Sequence, residues 1–517
     1  MEQNHSENTK RIARNTLMLY GRMLFSMVVS LYTSRVVLNT LGVVDYGVYN
    51  VVGGFVAMFS LISSSLSSAV SRFLTFELGR GDQERLNKVF STSLLIHIAL
   101  AIVVLIVAET IGVWFVNNKM TIPSDRIYAA NWVFQASIFS FMFGLFSVPY
   151  NASIVAHEKM STFAYIGILD TTLRLLIVLF IAYSTWHFDK LIVYSLLLVA
   201  VSMSLQCVYL GYCRKNFNEC RFRIGFDKEF WKEISSFAGW NFIGCTAQLL
   251  KDHGVNIVLN IFNGPVLNAA RGVATSVNTA VSSFTGSFMA ALNPQITKSY
   301  AIKDNEYLMF LVERGARFSF YILMILALPI IIETEYILSL WLVKYPDHSV
   351  NFVRLVLLMS LLETISNTLI TLQLATGKIR NYQLAVGGML LLNFPLSYFA
   401  LRIQFPPESV YVIAIVVAVL CLILRLFFLR RMVGLSVLRY VKNVVFNVIL
   451  VSIVAIILPY CVHCCLKYGA IRFLSVGFLS VLSSTFAILF IGCSKSERHL
   501  ILSRIPIFNR KRNDQNF

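Results

Sequence analysis

The chain has 517 residues, 57% of them hydrophobic and only 14% charged, with mean hydropathy +0.70 and formal charge +18. A soluble core of this length cannot hold so much apolar surface, which excludes a soluble enzyme or binding domain. The positive balance invites a nucleic-acid reading, but its distribution along the chain fits membrane topology better, and no nucleic-acid partner is expected.

The first fourteen residues are polar, with no short apolar region leading to a small-residue cleavage site, so no removable signal peptide is read. Apolar stretches long enough to cross the hydrocarbon lie near 16–41, 46–77, 90–116, 127–156, 160–184 and 189–212. A charged break at 214–233 follows. Six further stretches lie near 234–262, 265–298, 310–332, 351–375, 381–402 and 409–430, and two more near 441–463 and 471–493. The expected fold is an all-α polytopic membrane protein with about fourteen transmembrane helices. Its divisions are an N-terminal six-helix lobe (1–213), a cytoplasmic linker (214–233), a C-terminal six-helix lobe (234–432), two additional helices (433–495) and a basic tail (496–517). If the N-terminus is cytoplasmic, roughly 27 Lys and Arg residues fall in inner loops against about 7 outside. That asymmetry places both termini in the cytoplasm. The connections are too short to hide a soluble catalytic domain.

The two halves repeat. Val37-Leu38-Asn39 followed by Gly42 recurs as Val258-Leu259-Asn260 followed by Gly264, and Asp82-Gln83-Glu84 recurs as Asp304-Asn305-Glu306. Both matches fall about 222 residues apart, flanking equivalent spans. Six spans per repeat is an even number, so the lobes keep one orientation and are related by a pseudo-twofold axis along the membrane normal. That is a transporter architecture.

Charges inside the apolar stretches are the candidates for function, because a charge at the bilayer centre costs about 2.5 kcal/mol or more and normally faces a partner, a cavity or a ligand. Lys251 lies nearly halfway along Phe237–Phe262, too deep to snorkel easily. Arg271 stands among small neighbours in Asn268-Ala269-Ala270-Arg271-Gly272, and its planar fork suits phosphate oxygens. Arg22, Arg35 and Arg72 complete a set of cationic cavity candidates. Arg22 and Arg35 are 13 residues apart, about 20 Å of rise and roughly 220° of rotation, so they cannot face one narrow lumen on a straight helix. Arg174 has Asp170 one turn before it, and Glu313 and Arg317 invite the same local pairing. Asp252, His253 and Glu363 are the candidates for ion coupling; Glu363 can equally serve as the partner of a helix-borne cation. The Ser/Thr/Asn-rich face around Asn278 and Ser282 reads as close packing or as a polar lumen.

No catalytic, nucleotide-binding or zinc-protease motif is present. The cluster Cys461-Val462-His463-Cys464-Cys465 has poor ligand geometry, so no metal site and no cofactor is expected.

Leu41-Gly42-Val43-Val44-Asp45-Tyr46-Gly47-Val48-Tyr49 resembles a stretch of bacterial polysaccharide flippases. Pro149-Tyr150-Asn151-Ala152 with His157-Glu158-Lys159-Met160 is similar to that family too, as is Lys251-Asp252-His253-Gly254 with Asn268–Gly272 and Asn293-Pro294-Gln295. The likeness covers essentially the whole chain. It points to the Wzx-type O-antigen and capsule repeat-unit exporters of the multidrug/oligosaccharidyl-lipid/polysaccharide (MOP) superfamily. The resemblance implies alternating access in the bacterial cytoplasmic membrane, with an undecaprenyl-diphosphate-linked oligosaccharide as cargo. It also implies the surrounding lipid and other polysaccharide-assembly proteins as partners, and H⁺ or Na⁺ as the coupling ion. Three alternatives stay open: a lipid II flippase, a drug/cation antiporter of the same superfamily, and a membrane glycan polymerase or ligase. The antiporter wants carboxylates in its cavity, and the first span has no acid before Asp45; the polymerase wants a large extracytoplasmic loop.

Overall fold

The computed structural model describes residues 2–57, 59–118, 120, 122–184, 188–221, 227–263, 265–342, 345–495 and 497–498. Among them there is no strand. The first half contains α1 (Glu2–Ala57), α2 (Ser60–Arg80), α3 (Gln83–Val107), α4 (Val113–Asn118), α5 (Ile127–Ala156), α6 (Met160–Tyr183) and α7 (Lys190–Asn216). The second contains α8 (Lys228–Asn263), α9 (Pro265–Ala301), α10 (Asn305–Ile332), α11 (Thr334–Leu342), α12 (Ser349–Thr376), α13 (Arg380–Leu391), α14 (Asn393–Arg402) and α15 (Ser409–Val433). After these come α16 (Val437–Tyr440), α17 (Asn447–Cys465) and α18 (Ala470–Ala487).

An all-helical answer follows from the solvent. Hydrocarbon offers no partner to backbone N–H and C=O groups, and a helix satisfies them within its own segment. Eleven helices among the described residues are long and apolar enough to cross a membrane. The stretch from residue 43 through α2, together with α8 and α9, matches them in length but is richer in Ser, Thr, Asn and Gly. These three stretches fall outside the eleven. The polar character of the extra three is itself informative, because helices facing lipid all round have no use for hydroxyls.

The sequence repeat has a structural counterpart. The long α1 breaks at Gly42, whose φ of 81° only a residue without Cβ adopts cheaply. The equivalent junction falls between Asn263 and Pro265. Asp82 caps α3, accepting from the Arg85 N–H at 3.0 Å, and Asp304 stands at the equivalent place immediately before α10. Gly81 closes α2 with φ 77°, its N–H bonding back to Glu77 and Leu78. In the second half Lys303 holds the same left-handed turn with φ 59°.

The chain divides into two compact units that do not follow its halves. The first comprises Met1–Thr246, Ala290–Asn305 and Leu374–Arg380; the second comprises Ala247–Met289, Glu306–Gln373 and Asn381–Phe517. In the first, α1 packs along α6 and α5 along α7. Its core is built on Phe90, Phe134, Ile138, Ile154 and Leu191, all shielded. Charge fixes both ends of α5. Before its start, Arg126 donates to both Asp45 and Asp189, tying the turn after Gly42 to the first turn of α7. Just past its other end, the buried carboxylate of Glu158 accepts from Arg11 at 2.8 Å, Lys298 at 2.6 Å and Gln295 at 2.5 Å. Glu158 sits in a left-handed turn (φ 56°), and its carbonyl accepts from Asn15. The next residue outward, His157, donates to Glu219 at 2.5 Å. Burial pushes the Glu219 carboxyl up, but the His157 bond and its own backbone N–H hold it below the usual range.

In the second unit α10 is largely enclosed, with Leu323, Met324 and Ala327 along its buried face. The α17–α18 hairpin is pinned to both ends of α10. Arg314 and Arg317, near its start, reach Glu497 at 2.6 and 3.1 Å. Glu333, just past its other end, accepts from His463 at 2.7 Å and Arg472 at 3.0 Å. The local Glu313–Arg317 pairing expected from their spacing does not form: Glu313 takes Arg439 at 2.8 Å and Asn443 at 2.9 Å instead.

Candidate functional site

Lys251 is 3% exposed, halfway along the apolar part of α8. Its ammonium donates to Glu363 Oε1 on α12 at 2.9 Å, across 112 residues of chain. The partners differ in access: the lysine side chain is 4% exposed and the carboxylate 38%. Glu363 faces a cavity of about 270 Å³ in the second unit, lined also by Gln248, Ser366, Asn367, Cys421 and Arg425. Arg425 Nε donates to Tyr382 Oη at 3.0 Å. The arrangement is a buried ammonium whose counter-charge stands at the wall of a chamber of mixed polarity, with Ile370, Leu390 and Ala418 on its apolar side. Such a carboxylate can exchange its internal partner for a proton or an ion entering the chamber, while the ammonium cannot leave its helix.

The other cations are placed separately. Arg22, Arg35 and Arg72 belong to the first unit and Arg271 to the second. Arg22 lies over the Phe163 ring, 4.4 Å from its centroid, in room left by Gly167: a Cβ there would come within 2.7 Å of the arginine Cδ. Arg35 is exposed, and among the described residues its side chain makes no hydrogen bond or ion pair. Arg72 is committed: it donates to the Ala375 carbonyl at 3.1 Å, at the end of α12, and stacks within 4.5 Å of Phe73 and 4.8 Å of Phe76. Arg271 lies 5.8 Å from the Tyr411 ring. The side chains of Asp252 and His253 fall outside the described residues. Arg174 donates to Asp170 at 2.7 Å, as its spacing predicts. Of the hydroxyl-rich face on α9, Asn278 accepts from Ser360 at 2.6 Å, a helix-to-helix bond, while Thr275, Ser276 and Thr279 are exposed.

Sequence reasoning selected Lys251 and Glu363 and missed Arg425, Gln248 and Asn367. Arg425 stands near the basic end Arg430-Arg431 of its apolar stretch and reads as a snorkelling residue. Gln248 and Asn367 carry no charge, so nothing marks them until the helices are assembled.

A sequence model of the family described as "Polysaccharide biosynthesis protein" matches residues 9–300, more than half of the chain. The chain belongs to this family. Solved structures extend the likeness beyond residue 300 at the level of fold. A MATE transporter in complex with MaD3S superposes with TM-score 0.71 at 14% identity, covering 83% of this chain and 97% of that one. An outward-facing multidrug resistance MATE transporter of the MOP superfamily gives 0.69 at 13% identity, with 83% and 96% coverage. A MOP superfamily transporter from Pyrococcus furiosus, described as having a binding pocket of reverse polarity, gives 0.70 at 13% identity, with 83% and 96% coverage. No curated protein sequence matches. The family is that of polysaccharide biosynthesis proteins, and the fold is the one seen in MATE transporters. This member of the polysaccharide biosynthesis protein family is a multi-pass membrane protein.

Proposed function

We propose that the protein flips undecaprenyl-diphosphate-linked oligosaccharide repeat units across the bacterial cytoplasmic membrane by alternating access, both termini being cytoplasmic, for O-antigen or capsule assembly. The observation that carries this reading is the positive charge of the first span, which holds no acid of its own. The apolar stretch Arg11–Gly42 holds Arg22 on an aromatic ring and an exposed Arg35, and its sequence contains no acid. A diphosphate supplies the missing anion, and a guanidinium fork suits its oxygens. A cationic drug would find the wrong sign there, and the acid of the second unit's cavity, Glu363, is already matched by Lys251. The family's link to polysaccharide synthesis supports a glycan as the remainder of the cargo. Arg271 is a further phosphate ligand in this reading, and the Lys251–Glu363 pair couples transport to H⁺ or Na⁺.

The test is flipping of lipid-linked glycan by the purified protein in liposomes. Arg35→Ala should lower the rate at least tenfold, with Arg35→Lys keeping part of it, and Lys251→Ala or Arg271→Ala should abolish export while insertion persists. Undiminished flipping by Arg35→Ala would remove the argument from charge.

A further inference from the structure

The first unit holds a partly open cavity of about 360 Å³, to which the proposed function assigns no role. Its walls come from α1, α5, α6 and α7, and Ser137, Ser140, Ser195, Ser202, Tyr49 and Arg174 supply its polar surface. Three of the four serines have spent their protons on their own helices. Ser137 donates to the Val133 carbonyl at 2.7 Å, Ser195 to Ile192 at 2.8 Å and Ser202 to Leu198 at 3.0 Å. A hydroxyl whose proton is so committed presents only lone pairs to the space beside it. The wall is therefore rich in acceptors and asks for a ligand rich in donors. Tyr49 and Phe141 add aromatic surface, Tyr49 being held edge-on by Tyr194 at 5.2 Å. Arg174 is the one cationic lining residue described, and Asp170 offsets its charge at 2.7 Å. The chamber is thus close to electroneutral and does not suit a diphosphate.

Many O–H donors, a C–H face for an aromatic ring and no net charge describe a sugar ring. The volume lies at the lower end of the range for small-molecule sites, roughly 300–1,000 Å³, enough for a monosaccharide and too little for a lipid chain. We propose that this hydroxyl-lined chamber of the first unit binds one neutral sugar residue of the transported glycan, apart from the groups that hold its diphosphate. This deepens the function proposed above and rests on it.

The experiment compares two probes on the purified full-length protein in nanodiscs. One is bare undecaprenyl diphosphate. The other is the total undecaprenyl-diphosphate-linked glycan extracted from source cells lacking this transporter, where cargo accumulates. The native protein should bind the glycan-bearing lipid about tenfold more tightly than the bare carrier. Ser140→Leu/Ser202→Leu, which fills the chamber, should erase that preference and leave bare-carrier binding unchanged, which also certifies its fold. Ser140→Ala/Ser202→Ala, which removes two hydroxyls without adding bulk, should lose part of the preference. A native protein that binds both lipids equally would overturn the sugar site and leave the flippase reading standing, as would a filled variant that keeps the full preference. Binding of neither lipid would overturn both.

Discussion

At the scale of single residues, the Lys251–Glu363 pair makes an unequal prediction. Removing one partner of a buried ion pair leaves the other charge stranded, at about 3–5 kcal/mol when it is fully enclosed. Lys251 is enclosed and Glu363 reaches the chamber. Glu363→Gln should therefore lower the melting temperature in detergent by several degrees, whereas Lys251→Met should lower it less, because water can reach the orphaned carboxylate. Equal losses, or a larger loss for Lys251→Met, would mean that the chamber is dry. The sequence carried the position of the lysine plainly, because an ammonium at mid-span has few explanations. It could offer Glu363 only as one of two things, an ion-coupling group or a partner. Choosing between them needs the distance between α8 and α12, which no spacing within either helix contains. Arg72 shows the reverse. Its charge and depth match Arg22, yet its donors close the end of α12, more than three hundred residues along the chain.

At the scale of helices and turns, the repeat is uneven where it was expected to be regular. Gly81 and Lys303 occupy the same left-handed position after the second helix of each half. A side chain there costs about 1–2 kcal/mol relative to glycine's free choice of φ. Lys303 is exposed, and among the described residues its side chain makes no hydrogen bond; only its backbone bonds, to Tyr300 and Asn305. Lys303→Gly should therefore stabilise the protein, raising its melting temperature by about 2 °C; a fall would show that lysine holds this turn through a contact of its own. Helix identity and order were readable from apolar length, and the breaks from Gly42, Asp82 and Asp304. The π-helical turns at Ala108–Gly112, Val441–Phe446 and Ile488–Gly492 were not, since one extra residue per turn leaves hydrophobic composition unchanged.

At the scale of the whole molecule, the two C-terminal helices fall outside the repeat, and charge joins them to α10. Glu333 and Glu497 are nearly fully buried and each engages two cations or potential cations. Glu333→Gln/Glu497→Gln should raise amide hydrogen exchange in α17 and α18 while leaving the α5–α7 pair unchanged; unaltered protection of α17 and α18 would mean that apolar packing alone retains the hairpin. The Lys251–Glu363 bond also bears on how the protein is made. A ribosome adding about 5–20 residues per second completes α8 on the order of ten seconds before Glu363 exists. During that interval α8, which lies outside the eleven most apolar spans, carries the Lys251 ammonium at its centre without its Glu363 bond. The cross-helix bond that holds Lys251 to α12 is thus made well after α8 itself, and α8 spends that time without it.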